Sequence, residues 1–460
     1  MDATCLFARN FTHVRFEDIP PKAVAVAKNS VLDTLGVALA GASLPGPKEL
    51  CELVQFWGGR AESSIVGCKQ KVPAPNAAQV NAVMVHARDY DDVHETAIMH
   101  PAVITIPVAL ALAEAGGGLS GKEFLTATAL GADMICRLGL ATRPGISPIH
   151  TGWHFTTLYG YPTAALTAGR LLGLDEDGLV NAFGIAYHQC SGNGQCVIDG
   201  ALTKRLGPGF AVRGGMTAAL MAARGITGAR NCLEGENGLF RQYQHGEYDR
   251  ELLVRDLGAH FEGVNVSIKP YPCCRGTHPS IDAALALVKE SPIRPQDIKE
   301  IAITTGEANH RLLCTPFEAK VRPRNVVDAQ FSIPWGVATA LVRRTVTTRD
   351  YTPEAIKDEC VLSMTGKIKT EADPSLNHKG IESAIVRVLL QDGQVRSATV
   401  HDPLGSPQQP MSFDDCVSKF HDCVALSDGL IAPHQVERII ELVAGLEKVE
   451  DVRKLVDCLV

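Results

Sequence analysis

Carboxylate and imidazole side chains are concentrated between residues 86 and 101, a segment that begins His-Ala-Arg-Asp-Tyr-Asp-Asp and ends in His100-Pro101. Proline is favoured at the first position of a helix, so His100 is predicted to occupy the N-cap. The positive end of the helix dipole disfavours imidazolium there and leaves a neutral ring that can act as a base. Asp89 could orient that ring or accept a hydrogen bond from a substrate. An ordinary capping histidine and a solvated acidic loop are the alternatives, and these residues alone leave them open.

A second pair, His278-Pro279, also precedes an apolar helical pattern, and helix N-termini commonly bind anions. The repeated arrangement favours a functional site over two unrelated caps. A metal is not predicted, because the acidic segment lacks the glycine and terminal glutamate of a calcium loop. His94 and His100 would not share a helix face, which argues against a histidine metal pair. The chain has no Cys-x-x-Cys pair, so an iron–sulfur cluster is not predicted either.

Three basic residues, Lys204, Lys269 and Arg275, lie beside glycine or proline where one predicted element meets the next. His154 has a similar position, between a Pro/Gly-rich loop and a helical pattern. An isolated lysine is more often a solvated surface charge, but these segments are otherwise poor in charge. Together with the histidines, the cations could form a basic pocket for a di- or tricarboxylate.

Composition excludes several other classes of function. The chain has 460 residues, 45% of them hydrophobic and 21% charged, as expected for a soluble globular protein of about two or three domains. A net charge of -7 without runs of Lys or Arg argues against nucleic-acid binding. Fourteen scattered cysteines and no signal peptide predict reduced thiols in the cytoplasm. The longest apolar run, Ala102 to Ala113, is too short to span a bilayer, so no membrane association is predicted.

The elements that would hold these residues change in character near Val264. Before it, apolar residues recur at helical spacing in one segment after another. After it, β-branched and alternating segments resemble strands, and Asp392-Gly393 is a strong hairpin signal. The predicted fold is therefore mainly α, with a large discontinuous helical domain (1–265 and 405–460) and a smaller α+β lid domain (266–404).

Taken in order along almost the whole chain, these segments resemble the MmgE/PrpD family, which includes 2-methylcitrate dehydratase, cis-aconitate decarboxylase and iminodisuccinate epimerase. The resemblance rests on the combined order and spacing of short motifs, each of them weak alone. These are Val31-Leu-Asp-Thr-Leu-Gly36, Asp89-Tyr-Asp-Asp92 with His100-Pro101, the His154 and Lys204 segments, Lys269-Pro-Tyr-Pro272 with Thr277-His278, and Gln330-Phe-Ser-Ile-Pro334.

The resemblance implies a homodimeric enzyme without a cofactor. It assigns a catalytic set at Asp89, His100, His154, Lys204 and Lys269, and substrate-binding positions at Asp92, Arg275, His278 and Trp335. Val93, Ala102 and Trp335 depart from residues that the better-known branches carry at the matching positions. Since these positions would touch substrate, the resemblance supports the family more firmly than any one reaction.

The resulting hypothesis is a lyase, a dehydratase or a decarboxylase, that acts on a small di- or tricarboxylate. Cations would stabilise the negative charge that develops beside a carboxylate, and His154 or His100 would move the proton at the adjacent carbon. An epimerase of a dicarboxylate such as iminodisuccinate could use two of the same residues. A non-catalytic helical binding protein is the third possibility.

Overall fold

The computed structural model describes residues 1–142, 151–290, 293–377 and 381–460. The chain forms two compact units: a first of residues 1–196, 202–268 and 412–460, and a second of residues 197–201 and 269–411. A mainly helical chain with a smaller α+β part confirms the predicted fold class. The domain limits proposed from the sequence stay a prediction. Most of the Pro/Gly-rich loop predicted before His154 lies outside the described residues.

The first unit is built from helices, with short strands at its margins. The longer helices are Ala3–His13, Pro21–Gly41, Pro47–Trp57, Ala74–His86, Ala102–Ala115, Gly121–Ala141, Phe155–Leu171, Glu176–Tyr187, Thr203–Ala222, Phe413–Val424 and Pro433–Ala444. Shorter helices are Gln195–Asp199, where the chain passes into segment 197–201, and Leu239–Gln244, Arg250–Val254 and Arg453–Val456. Two antiparallel strand pairs complete it, Ser63–Ile65 with Cys68–Val72 and Val93–His94 with Val266–Ser267.

Small residues allow the central helices of this unit to approach closely. The helix Thr203–Ala222 packs against both Phe155–Leu171 and Ala74–His86. A Cβ added at Gly215 would lie 2.5 Å from the Tyr161 carbonyl oxygen, and one at Gly209 would lie 2.9 Å from that of Gln79. Only glycine permits this backbone contact, which brings the ends of three helices together.

Two helices of the first unit, Pro21–Gly41 and Gly121–Ala141, are long and apolar enough to cross a membrane by length and composition. In the structure 67% and 89% of their apolar stretches are buried, as in core helices of a soluble protein, so this is weak evidence for a membrane span. All fourteen cysteines lie among the described residues, and each is a free thiol.

The second unit is centred on a four-stranded sheet, in the order Ile368–Ala372, Ile298–Thr305, Ala384–Leu390, Val395–Val400. The first two strands are parallel and the other pairs antiparallel. Leu390 donates its backbone N–H to Gln394 O at 2.9 Å, and Gly393 has a φ of 86°, so the predicted hairpin is confirmed. The longer helices of this unit are His278–Glu290, Ile333–Arg343 and Glu359–Thr365, and shorter ones are Glu307–Asn309, Phe317–Val321 and Val326–Gln330.

Several predicted element limits were wrong, each for a local reason. Of the strand predicted at 264–271 only Val266–Ser267 forms, because the prolines that follow have no N–H to donate. Asn76 lies inside its helix, which begins at Ala74 with Pro75 in the first turn. The helix predicted at 328–342 is interrupted before Ile333, where Ser332 Oγ caps Trp335 N.

Candidate active site

Asp89 adopts a left-handed backbone conformation immediately after the helix Ala74–His86. Its φ is 52°, a conformation that aspartate tolerates better than most residues. The turn directs the following residues back toward the end of the helix, so that Asp91 Oδ2 accepts a hydrogen bond from His86 Nδ1 at 2.8 Å. Both side chains are fully buried.

His100 is the second imidazole beside Asp91. Its Nδ1 lies 2.6 Å from the Asp92 carbonyl oxygen and 3.4 Å from Asp91 Oδ2. Since a carbonyl can only accept, Nδ1 carries the proton and the neutral ring has its lone pair on Nε2. The predicted N-cap position was wrong by one residue. Pro101 is the N-cap of Ala102–Ala115, because its carbonyl accepts from Ile104 N at 3.2 Å.

His154 is the histidine that does occupy a helix N-cap, that of Phe155–Leu171. Its Nδ1 lies 2.8 Å from Thr157 Oγ1 in the first turn of that helix. Gly207, on the neighbouring helix, leaves room for this contact, since an added Cβ would lie 2.5 Å from Thr157 Oγ1. The helix-dipole argument made for His100 therefore applies to His154.

The three imidazoles form one cluster around His86. The His86 ring centroid lies 5.0 Å from that of His100 and 5.9 Å from that of His154, edge-on in both cases. Lys204, near the start of its helix, lies beside them and places Nζ 2.5 Å from Asp89 Oδ1. Lys204 and Asp89 are both nearly inaccessible to solvent. A buried ion pair beside clustered imidazoles can bind an anion and move a proton.

Burial lowers the pKa of two of these rings, which favours their neutral form. The pKa of His154 is lowered well below its ordinary value, first by burial and then by the repulsion it would meet from a protonated His86, from Lys204 and from a protonated His100. Burial also lowers the pKa of His86, against the opposing effect of Asp91. A neutral imidazole near physiological pH can accept a proton, as a general base must.

Asp92 has a position different from that of the other acidic residues. Its Oδ1 accepts a hydrogen bond from Ala102 N at 3.2 Å, at the start of the helix Ala102–Ala115. It also lines a mostly apolar cavity with Ala102, Ile106 and Phe261. The predicted role of Asp92 in substrate binding stays a prediction.

The segment around Tyr90 is held from behind by a buried lysine. Lys419 Nζ lies 2.6 Å from Asp33 Oδ1, donates to Tyr90 O at 2.8 Å and lies 3.6 Å from the centroid of the Tyr90 ring. Asp33 belongs to the motif Val31–Gly36, and a Cβ at Gly36 would lie 2.9 Å from Phe420 Cδ2 on the lysine's helix. This motif thus supports the turn that carries Asp89 and Asp91.

The remaining predicted residues, Lys269, Arg275, His278 and Trp335, belong to the second unit and are buried. Arg275 donates to His278 Nδ1 at 2.9 Å and to Leu404 O at 2.8 Å. His278 is the first residue of its helix and not the predicted N-cap, and its Nε2 lies 3.3 Å from Cys273 O. Trp335 packs in the core of this unit and donates Nε1–H to Asp350 O at 3.3 Å. Their functional roles stay predictions.

The side chains of His86, Asp91 and His100 place candidate metal-ligand atoms within 4.8 Å of one another. However, the nitrogens that approach Asp91 and Asp92 already make short hydrogen bonds through their protons. The arrangement is that of a hydrogen-bonded cluster, and the expectation of no metal stays a prediction.

Sequence reasoning missed His86, Asp91 and Thr157. The first two lie in segment 86–101, but the contact between them depends on the turn at Asp89. The spacing of five between a histidine that ends a helix and an aspartate was the available signal. Thr157 had no signal beyond its place three residues after His154.

Comparison with known proteins shows which family this chain belongs to. The MmgE/PrpD N-terminal domain matches residues 6–251, and the MmgE/PrpD C-terminal domain matches residues 271–448. The chain belongs to the MmgE/PrpD family. Cis-aconitate decarboxylase of Aspergillus terreus is 27% identical over 463 residues, which cover 96% of this chain and 93% of that protein. The human cis-aconitate decarboxylase is 26% identical over 458 residues, 97% of this chain and 92% of that protein.

A third relative, the cis-aconitate decarboxylase-like protein oryM of Aspergillus oryzae, is 26% identical over 465 residues. Membership in the MmgE/PrpD family and these relatives together support a lyase of the dehydratase or decarboxylase type. At this level of identity the substrate does not follow from the names of the relatives.

Proposed function

We propose that this protein is a cofactor-independent lyase that acts on a small di- or tricarboxylate by proton transfer beside a carboxylate. The observation that carries the proposal is the cluster in the first unit, where Lys204 and Asp89 lie beside three imidazoles. Decarboxylation of cis-aconitate is the first reaction to test, because the full-length relatives carry that activity in their names.

The two lyase reactions place the same demands on the cluster. In decarboxylation the C–C bond breaks, carbon dioxide leaves, and the electron pair on the remaining carbon takes a proton from an imidazolium. In dehydration a neutral imidazole removes a proton beside the carboxylate, a second imidazole in its protonated form gives a proton to the hydroxyl, and the C–O bond breaks with loss of water. In both, Lys204 would stabilise the negative charge that builds up next to the carboxylate.

His154 and His100 are the candidates for these proton transfers. Low basicity and its place at a helix N-terminus suit His154 to the neutral, accepting form. The contact between Asp91 and the Nδ1 side of His100 favours its protonated, donating form. We assign the acid to His100 and the base to His154, and propose in addition that the enzyme is a cytoplasmic homodimer.

The reaction can be tested by proton NMR of the purified protein with cis-aconitate, 2-methylcitrate, citrate and iminodisuccinate in deuterated water. We expect one acid to lose carbon dioxide or water. His154→Gln should abolish that loss, and His188→Gln, which changes an exposed histidine, should leave it intact. Exchange of a carbon-bound proton without any loss would instead identify an epimerase. Binding of these acids without any chemical change would contradict both enzyme assignments.

A further inference from the structure

His86 is the innermost imidazole of the cluster. It is the last residue of the helix Ala74–His86, its side chain is fully buried, and its ring touches those of both His100 and His154. Neither the sequence motifs nor the proposed chemistry assigns it a task.

The two ring nitrogens of His86 differ in their hydrogen bonding. Nδ1 donates to Asp91 Oδ2 at 2.8 Å, whereas Nε2 has no hydrogen-bond partner among the described residues. Burying a polar nitrogen without a hydrogen-bond partner is unfavourable. An aliphatic side chain would fill the same space without that cost, so packing alone does not account for a histidine here.

Asp91 connects His86 to the proposed acid. The same oxygen, Oδ2, that accepts from His86 lies 3.4 Å from His100 Nδ1. The Asp92 carbonyl already fixes the His100 tautomer, so the contribution of Asp91 is a negative charge held beside the ring. An opposite charge at this distance favours the protonated imidazole.

We propose that His86 is a positioning residue whose Nδ1–H holds the Asp91 carboxylate against His100, so that His100 can carry the proton it donates. This role rests on the proposed function only in naming His100 as the acid. Other charged or titratable groups around the trio are the Asp89–Lys204 pair, Asp92 and His154, and none of them hydrogen-bonds to His86 in the described residues.

Three substitutions distinguish the contribution of Nδ1 from that of Nε2 in His86. In His86→Asn the amide N–H can replace Nδ1–H toward Asp91, whereas the longer amide of His86→Gln reaches the place of Nε2. His86→Leu keeps apolar volume and has no donor. We expect Asn to preserve the role, and Gln and Leu to lose it.

The measurement is the ¹⁵N NMR spectrum of histidine-labelled protein without substrate between pH 5 and 9, with the His100 signals assigned from a His100→Gln variant. In His86→Asn the His100 signals should follow the wild type at every pH. In His86→Leu and His86→Gln the His100 signals should move toward those of the neutral ring, and the midpoint of the His100 titration should fall by about one pH unit. Thermal melting verifies that each variant is folded.

Kinetics provide the second readout once a substrate is known. We expect kcat to fall at least tenfold in the Leu and Gln variants and less than threefold in the Asn variant. KM should change little, because the fully buried His86 does not touch the substrate in the proposed role. Identical behaviour of His86→Asn and His86→Leu, or unchanged His100 signals in all three variants, would overturn the proposal.

If the His86 variants do not fold, the proposal can still be tested at Asp91, the hydrogen-bond partner of His86. Asp91→Asn removes the charge and should shift the His100 signals in the same direction as His86→Leu, and unchanged signals would refute the role. Since the NMR experiment uses no substrate, absence of turnover in the wild type would contradict the proposed function without deciding this inference.

Discussion

Gly207 lies on the helix Thr203–Ala222, directly beside the hydrogen bond between Thr157 and His154. In a helix interior, replacing glycine by alanine normally stabilises a protein by about 0.5–1 kcal/mol. Here the new methyl group would lie 2.5 Å from Thr157 Oγ1, whereas ordinary contacts begin at 3.4 Å. The hydroxyl would have to move by about 0.9 Å or rotate away, in a contact where overpacking costs about 1–3 kcal/mol.

Gly207→Ala should impair catalysis more severely than it destabilises the folded protein. A displaced hydroxyl cannot maintain its 2.8 Å contact with His154 Nδ1, and that ring then loses its orientation. Misplacement of a catalytic group by about 1 Å can reduce a rate by about a hundredfold. We therefore expect Gly207→Ala to lower kcat by about ten- to a hundredfold, with a loss of no more than about 2 kcal/mol in the free energy of unfolding.

Urea denaturation and initial rates on the acid identified by the NMR screen test both numbers. The double variant Gly207→Ala/Thr157→Ala removes the clashing hydroxyl, so it should regain stability but not activity. Thr157→Ser retains the hydroxyl and is the matched control for the loss of a side-chain methyl group. Wild-type kcat in Gly207→Ala would refute the assignment of His154 to the reaction centre.

Three further predictions concern other parts of the site. Lys419→Met should lower the free energy of unfolding by about 3 kcal/mol, because Asp33 would lose its buried partner. Lys419→Arg retains the positive charge and should lower that free energy by less. Equal shifts of the urea midpoint in the two variants would contradict a role for the charge. Because burial lowers the pKa of His86 and His154 below the ordinary 6.5, the unfolded chain binds more protons in acid. The urea midpoint should thus fall as pH drops below about 6.5, less steeply in His154→Gln, and a flat profile would show that these rings are not held neutral. Prolonged dialysis against EDTA should leave activity unchanged. If activity is lost and only an added divalent cation restores it, His86, Asp91 and His100 would be identified as a metal site.

Local patterns in the sequence predicted a large part of this protein. Helical spacing before Val264, strand-like alternation after it and the Asp392-Gly393 turn indicated a helical fold with an α+β part, because such signals depend on neighbouring residues. The histidines and cations were also singled out locally, by their proximity to proline and glycine. Where a limit was wrong, as for the N-cap at His100 and the strand after Val264, the cause was local: the details of capping in the first case and nearby prolines in the second.

Contacts between distant segments were decided only by the tertiary structure. The turn at Asp89 brings Asp91 back to His86, and close helix packing places Gly207 against Thr157. Lys419 reaches Tyr90 across 329 residues of chain. These contacts determine which imidazole is buried, which lies at a helix N-terminus and which lies beside a carboxylate. Residue types could indicate acid–base chemistry, but the assignment of roles depends on distances and burial that arise only when the helices pack.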